Sequence, residues 1–253
     1  RAKKYRKFTV AKAVMDADVV IGLPKLKTHQ LTTDTGAVKL LYGYLPGVTK
    51  AEYHLHTAEN VDNFAGLLID LYLSLPPDLF IMDAVVGMEG NGPSGGMPRH
   101  IGLLMASPDG PALDFVASSI VGFDPLLLPT VRQAWERGIG PKTLEEIRIA
   151  GEDPLAVRIS DFKKPDAHPA TRVPPELLHV AKWFLAAKPV IQSGACTRCG
   201  TCAINCPSEA IRWSEGKIPA IDYRSCIRCF CCQELCPANA VIVKKPLVRR
   251  FTR

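Results

Sequence analysis

The chain has 253 residues, 47% of them apolar, enough for one substantial core with a smaller module appended, which excludes a fibrous or disordered protein. Its net charge of +6 is confined to one end: ten of the 31 basic and four of the 25 acidic residues lie at or after Ile191, so the 21 of each sign before it cancel. No apolar run reaches the roughly 18 residues of a membrane span, because the longest candidate, 177–190, is interrupted by Lys182, Lys188 and Pro189.

The chain opens at Arg1 without Met or a signal-like segment, which reads as a truncated or processed start with further sequence before it. Residues 19–23 predict a strand. Lys25, Lys27 and His29 then alternate along an extended segment, so their side chains share one face and form a candidate anion or substrate site. Alternating lysines are also how sheet edges are kept from pairing, so a solvated edge is the competing reading. Residues 36–44 predict a helix. His54 and His56 repeat the alternate spacing after Lys50, either adding to the anion site or lying on the surface.

A helix is expected over 58–73, where Phe64, Leu67, Leu68 and Leu71 hold the spacing of one buried face. A strand over 79–82 follows. Asp83 and Glu89 stand where this strand gives way to glycine-rich sequence, a usual place for ligand or metal contacts in α/β sheets. Gly90-Asn-Gly-Pro-Ser-Gly95 satisfies G-x-G-x-x-G, but Pro93 and Pro98 block the helix whose N-terminus must hold a pyrophosphate, so a dinucleotide site is rejected. After a strand over 101–105, Asp109 reads as the cap of a helix over 112–121, and Asp114 as an acid complementing that helix's dipole. The alternation of strands and helices predicts an α/β layered domain over 1–172. Pro174-Pro175 should start an amphipathic helix through Leu185, within a linker at 173–190.

All nine cysteines lie between Cys196 and Cys236, a local cofactor pattern rather than a disulfide framework, and one that favours a reducing compartment, by default the cytoplasm. Cys196, Cys199, Cys202 and Cys206-Pro207 match C-x2-C-x2-C-x3-C-P, and Cys226, Cys229, Cys232 and Cys236-Pro237 match it again 30 residues later. Three thiolates of one tight loop reach three irons of a cube, while the fourth is carried away by a short helix to the other cube. Two [4Fe-4S] clusters are therefore expected, one on Cys196, Cys199, Cys202 and Cys236, the other on Cys226, Cys229, Cys232 and Cys206. Zinc would take pairs of cysteines and needs no triple followed by Cys-Pro. Cys231 is left over, as a small apolar side chain beside a cluster, an alternative ligand or a redox-active thiol.

Short strands are expected at 210–213, 218–221 and 240–243. Residues 191–245 resemble the bacterial ferredoxins, which implies a small α+β, pseudo-twofold domain within 191–253. Each thiolate-bound cluster carries roughly −2 when oxidised, so two would offset much of the local +6. A nucleic-acid surface is not expected, because stacking aromatics are not interleaved with these charges.

Further motifs run through the larger region: Leu23-Pro-Lys25-Leu-Lys27-Thr-His29, Thr35-Gly-Ala-Val-Lys39 before Tyr42-Gly43, Pro46-Gly47 with Lys50 and His54, 83–93, Ala106-Ser-Pro-Asp109 with Leu113-Asp114, and Gly122-Phe-Asp-Pro125. Together they resemble the domain of unknown function 362 (DUF362) family, often called iron-sulfur-centre proteins. The chain departs from that pattern at Leu40 and Gly110. The resemblance implies no settled reaction. An iron-sulfur oxidoreductase acting on a small anionic substrate and a non-catalytic carrier docked to a redox partner protein both remain open.

Overall fold

The computed structural model describes residues 4–29, 32–46, 49–50, 53, 57, 61–93, 95–165, 188–228 and 230–244. The chain divides into two compact units, one of residues 1–50 and 59–166, the other of 51–58 and 167–253.

The first unit is mixed α/β. A single turn of helix, α1 (Lys12–Met15), precedes β1 (Ile21–Gly22), β2 (Lys25–His29) and β3 (Thr33–Asp34). After α2 (Ala37–Leu40), a 3-10 turn at Leu41–Tyr44 and α3 (Val61–Ser74) come β4 (Leu79–Asn91) and β5 (Gly95–Ser107), then α4 (Gly110–Ile120) and α5 (Pro129–Glu136). β4 is the central strand. β1 and β2 run parallel to it, with Ile21 opposite Leu79 and Lys25 opposite Asp83, while β5 pairs antiparallel from Phe80–Ser107 to Asn91–Gly95.

The sequence predicts two short strands around a glycine-rich loop; the chain instead forms one hairpin of two 13-residue strands. Glycine and proline lower intrinsic strand preference, and cross-strand pairing overrides that preference here. The G-x-G-x-x-G segment becomes the hairpin tip.

Phe80, Met82 and Ala84 alternate onto a fully buried face of β4. The expected helix face Phe64, Leu67, Leu68 and Leu71 is buried on α3. Phe64 meets Tyr42 edge-on, with centroids 5.2 Å apart. Asp109 caps α4 by accepting from Ala112 N at 3.0 Å, as its position before Gly-Pro predicts. Asp114 differs from expectation. It is buried and accepts from Ala37 N at 2.5 Å and Val38 N at 3.0 Å, so it holds the start of α2 instead of answering its own helix dipole. Gly36 is required there, because a Cβ would lie 2.0 Å from Asp114 Oδ1.

The second unit contains β6 (Lys188–Ile191), α6 (Thr201–Ile204), β7 (Ile211–Arg212), β8 (Ala220–Ile221), α7 (Cys231–Glu234) and β9 (Val241–Lys244). The linker helix expected at 173–190 lies mostly outside the described residues, and its last three positions, 188–190, are strand. They belong to β6, which pairs antiparallel with β9 from Lys188–Lys244 to Ile191–Val241. Pro189 removes a helix donor, and Val190-Ile191 favours an extended backbone. β7 pairs with β8.

Candidate metal centre

The 30-residue cysteine repeat is also a repeat of backbone geometry. Positive φ angles recur at Arg198 and Arg228 (61° and 57°), Gly200 and Phe230 (75° and 62°), and Glu209 and Asn239 (51° and 48°). Left-handed residues at these offsets turn the chain back on itself, which curls each cysteine loop around a common interior. Hydrogen bonds repeat too: Gln192 N donates to Ala240 O and Asp222 N to Ala210 O, both at 2.7 Å. Each bond ties one half of the repeat to a strand end of the other type. The two halves are related by a pseudo-twofold operation.

Cys196, Cys199, Cys202 and Cys236 line one small pocket, with Ile191, Pro219 and Val241 as apolar wall. Three of these cysteines come from one loop and the fourth from the other half of the repeat. Cys202 is buried. Burial, and then the negative charge of Cys196, Cys236 and Cys199, push its thiol above the ordinary range, so the four sulfurs share one electrostatic neighbourhood.

Backbone amides are aimed at the sulfurs. Arg198 N donates to Cys196 Sγ at 3.4 Å, Ala240 N to Cys236 Sγ at 3.2 Å and Ala210 N to Cys206 Sγ at 3.3 Å. Donors so placed stabilise thiolates, the form that binds iron. Among the described residues, no group of three or more His, Cys, Asp or Glu side chains converges on a single-ion site. Thiolates spread around a cavity suit a cluster, in which each ligand binds a different iron.

In the second set, Cys232 is buried and Cys226 and Cys206 half-buried, while Cys229 lies outside the described residues. The negative charges of Cys226 and Cys232 raise Tyr223 after burial does, which places both beside one ring. Cys231 is half-buried at the start of α7.

Sequence reading missed three neighbours of this centre. Thr201 Oγ1 lies 3.3 Å from Cys199 Sγ, Ser208 Oγ 3.8 Å from Cys206 Sγ, and Trp213 Nε1 donates to Arg198 O at 3.1 Å. Trp213 packs so closely on the first loop that a Cβ at Gly200 would lie 2.8 Å from its ring. Superposing the two cysteine repeats at their 30-residue offset would have singled out all three, since the residues opposite them are Cys231, Ala238 and Val243.

The residues expected to form an anion site are brought together only in part. Lys25 Nζ meets Asp83 Oδ2 at 2.6 Å across the β2–β4 pairing, and this hydrogen bond is the main reason that Asp83 stays below the usual carboxylate range. Lys27 pairs with Met88, so Glu89, one residue on, turns to the opposite face. There Glu89 is buried and accepts from Lys163 N at 3.2 Å, with Lys163 Nζ at 3.6 Å. His29 is buried as well, its Nδ1 accepting from Thr32 N at 3.3 Å. His54 and His56 lie outside the described residues.

Two regions of the chain match known family models. Residues 1–119 match the family model "Domain of unknown function (DUF362)", and residues 188–237 match "4Fe-4S dicluster domain". A curated relative, a thylakoid-associated protein of Synechocystis sp., is 41% identical over 157 residues, which is 62% of this chain and 49% of the relative. The chain thus spans about half the length of the curated relative it matches. The chain therefore carries a DUF362 region at residues 1–119 and a 4Fe-4S dicluster domain at 188–237, the two resemblances that the sequence predicts.

Proposed function

We propose that the protein is an electron-transfer protein that holds two [4Fe-4S] clusters. One would be bound by Cys196, Cys199, Cys202 and Cys236, the other by Cys226, Cys229, Cys232 and Cys206. The carrying observation is the cavity in which Cys236 joins the three cysteines of the opposite loop. A cluster bound there supplies one-electron chemistry, and the chain's residues hold it, donate hydrogen bonds to its sulfurs and exclude part of the water.

The first unit would present the redox partner. Lys25 is neutralised by Asp83 while both remain about half exposed, which supports docking of a partner protein through a mixed-charge face over capture of a small anion. Catalysis on a small anionic substrate is the second reading. The relative's thylakoid association makes a partner at a membrane surface the alternative to a cytoplasmic one. Among the described residues, no helix is long and apolar enough to cross a membrane.

Anaerobic reconstitution followed by iron and sulfide analysis tests the cluster assignment. Eight irons per chain are expected, with Cys236→Ser disturbing the cluster of the opposite loop, seen as a changed spectrum in a variant that keeps the other cluster. A content near four irons, or zinc in place of iron, overturns the reading. Lys25→Ala with Lys27→Ala should leave both clusters reducible and weaken partner-dependent reoxidation several-fold; unchanged reoxidation kinetics at low salt would remove these lysines from docking.

A further inference from the structure

The two cysteine loops align residue for residue at a 30-residue offset, yet they differ in the residues that flank the cysteines. Cys196-Thr-Arg-Cys-Gly-Thr-Cys202 stands against Cys226-Ile-Arg-Cys-Phe-Cys-Cys232. Thr197 and Thr201 therefore correspond to Ile227 and Cys231. The arginines are common to both loops and favour neither.

We propose that the hydroxyl of Thr201, 3.3 Å from Cys199 Sγ, makes the cluster site of Cys196, Cys199, Cys202 and Cys236 the one that takes the first electron. The inference rests on the two-cluster reading above. Reduction adds one negative charge to a cluster, so a hydrogen bond to a ligand sulfur and access to solvent both favour the reduced state. Cys199 is exposed and has the Thr201 hydroxyl beside it. In the other loop the equivalent position carries a thiol, a much weaker donor than a hydroxyl, and Ile227 has no donor at all.

Among the described residues, Ser208 opposes this difference: it approaches Cys206, assigned above to the other site, where the equivalent residue is Ala238. Its oxygen is 3.8 Å from the sulfur against 3.3 Å for Thr201, so it offsets only part of the asymmetry. Thr201 is thus a positioning residue that acts through Cys199. The step is a single-electron transfer from a donor such as dithionite, with no bond made or broken and no proton required.

The test is a redox titration of the anaerobically reconstituted full chain, followed by electron paramagnetic resonance, after eight irons per chain have been verified. Wild type should show two distinct midpoints. Thr201→Val should lower the higher midpoint by roughly tenfold in the reduced-to-oxidised ratio, about 59 mV for a one-electron couple, with the other unchanged. Thr201→Ser should restore it. Should Thr201→Val not assemble, Cys231→Thr carries the test, because a hydroxyl at the equivalent position must raise the lower midpoint. Unmoved midpoints in a chain with eight irons, or movement of the lower one in Thr201→Val, overturn this inference and leave the two-cluster reading intact. Absence of a second cubane signal from the wild type overturns both.

Discussion

Asp34 and Asp114 are carboxylates closed off from water and close enough to repel each other. Burial raises Asp34 from 3.8 to about 7, against the lowering influence of the Gly36 amide and Lys39, and burial with the charge of Asp34 raises Asp114 in the same direction. A raised carboxylate binds a proton in the folded state that the unfolded chain releases. Its contribution to stability is therefore largest below about pH 4 and is lost as pH rises toward about 7. Asp34→Asn should reduce this loss, and denaturation midpoints of the first unit compared at pH 5 and pH 8 will show it as a smaller difference than in wild type. An identical difference would exclude Asp34 as the proton carrier. Neither acid was legible as a pair in the sequence, where they are 80 residues apart and Asp114 reads as an ordinary first-turn acid.

At the scale of elements, α3 and α5 are clamped by one ion pair. Asp70, fully buried on α3, receives Arg137 Nη1 at 2.5 Å just beyond α5, and its second oxygen accepts from Lys4 N and Tyr5 N at 3.1 and 2.8 Å. One carboxylate thereby anchors two elements and the incoming chain. Arg137→Ala leaves that charge buried without its cation and should destabilise the first unit by about 3–5 kcal/mol, read from urea unfolding. The heptad-like face of α3 was legible because Phe64, Leu67, Leu68 and Leu71 obey helical periodicity. Asp70 was not, since a charged residue among apolar ones looks like the polar face of an amphipathic helix. The β4–β5 hairpin was half legible: its apolar ends announce strands, whereas its glycine- and proline-rich middle is held extended by pairing alone.

At the scale of the molecule, the described residues of the second unit have little apolar interior of their own. Their buried cluster consists of Cys202, Ile211, Cys232 and Val241, two of which are cysteines of the repeat proposed to bind clusters. The cysteine-repeat region within that unit, about 55 residues long, is of a size at which disulfides or metal commonly supplement the apolar core. Chelation of iron under anaerobic conditions should therefore unfold the second unit and leave the first protected, measured by hydrogen exchange on the full chain. Equal protection of the second unit before and after iron removal would show that it folds without its clusters.

The cysteine spacing by itself led to the expectation of two crossed ligand sets, because local loop geometry dictates which thiolates of such a repeat can reach one cube and which must cross. The mixed α/β character of the first unit and the buried face of α3 were likewise written in local periodicity. Only the tertiary structure decided that Glu89 turns away from Lys25 and Asp83, that Asp114 serves a helix other than its own, and that Thr201 faces Cys199. Strand register, burial and the approach of distant segments determine where a side chain ends up, and none of these is carried by the residues next to it in the chain.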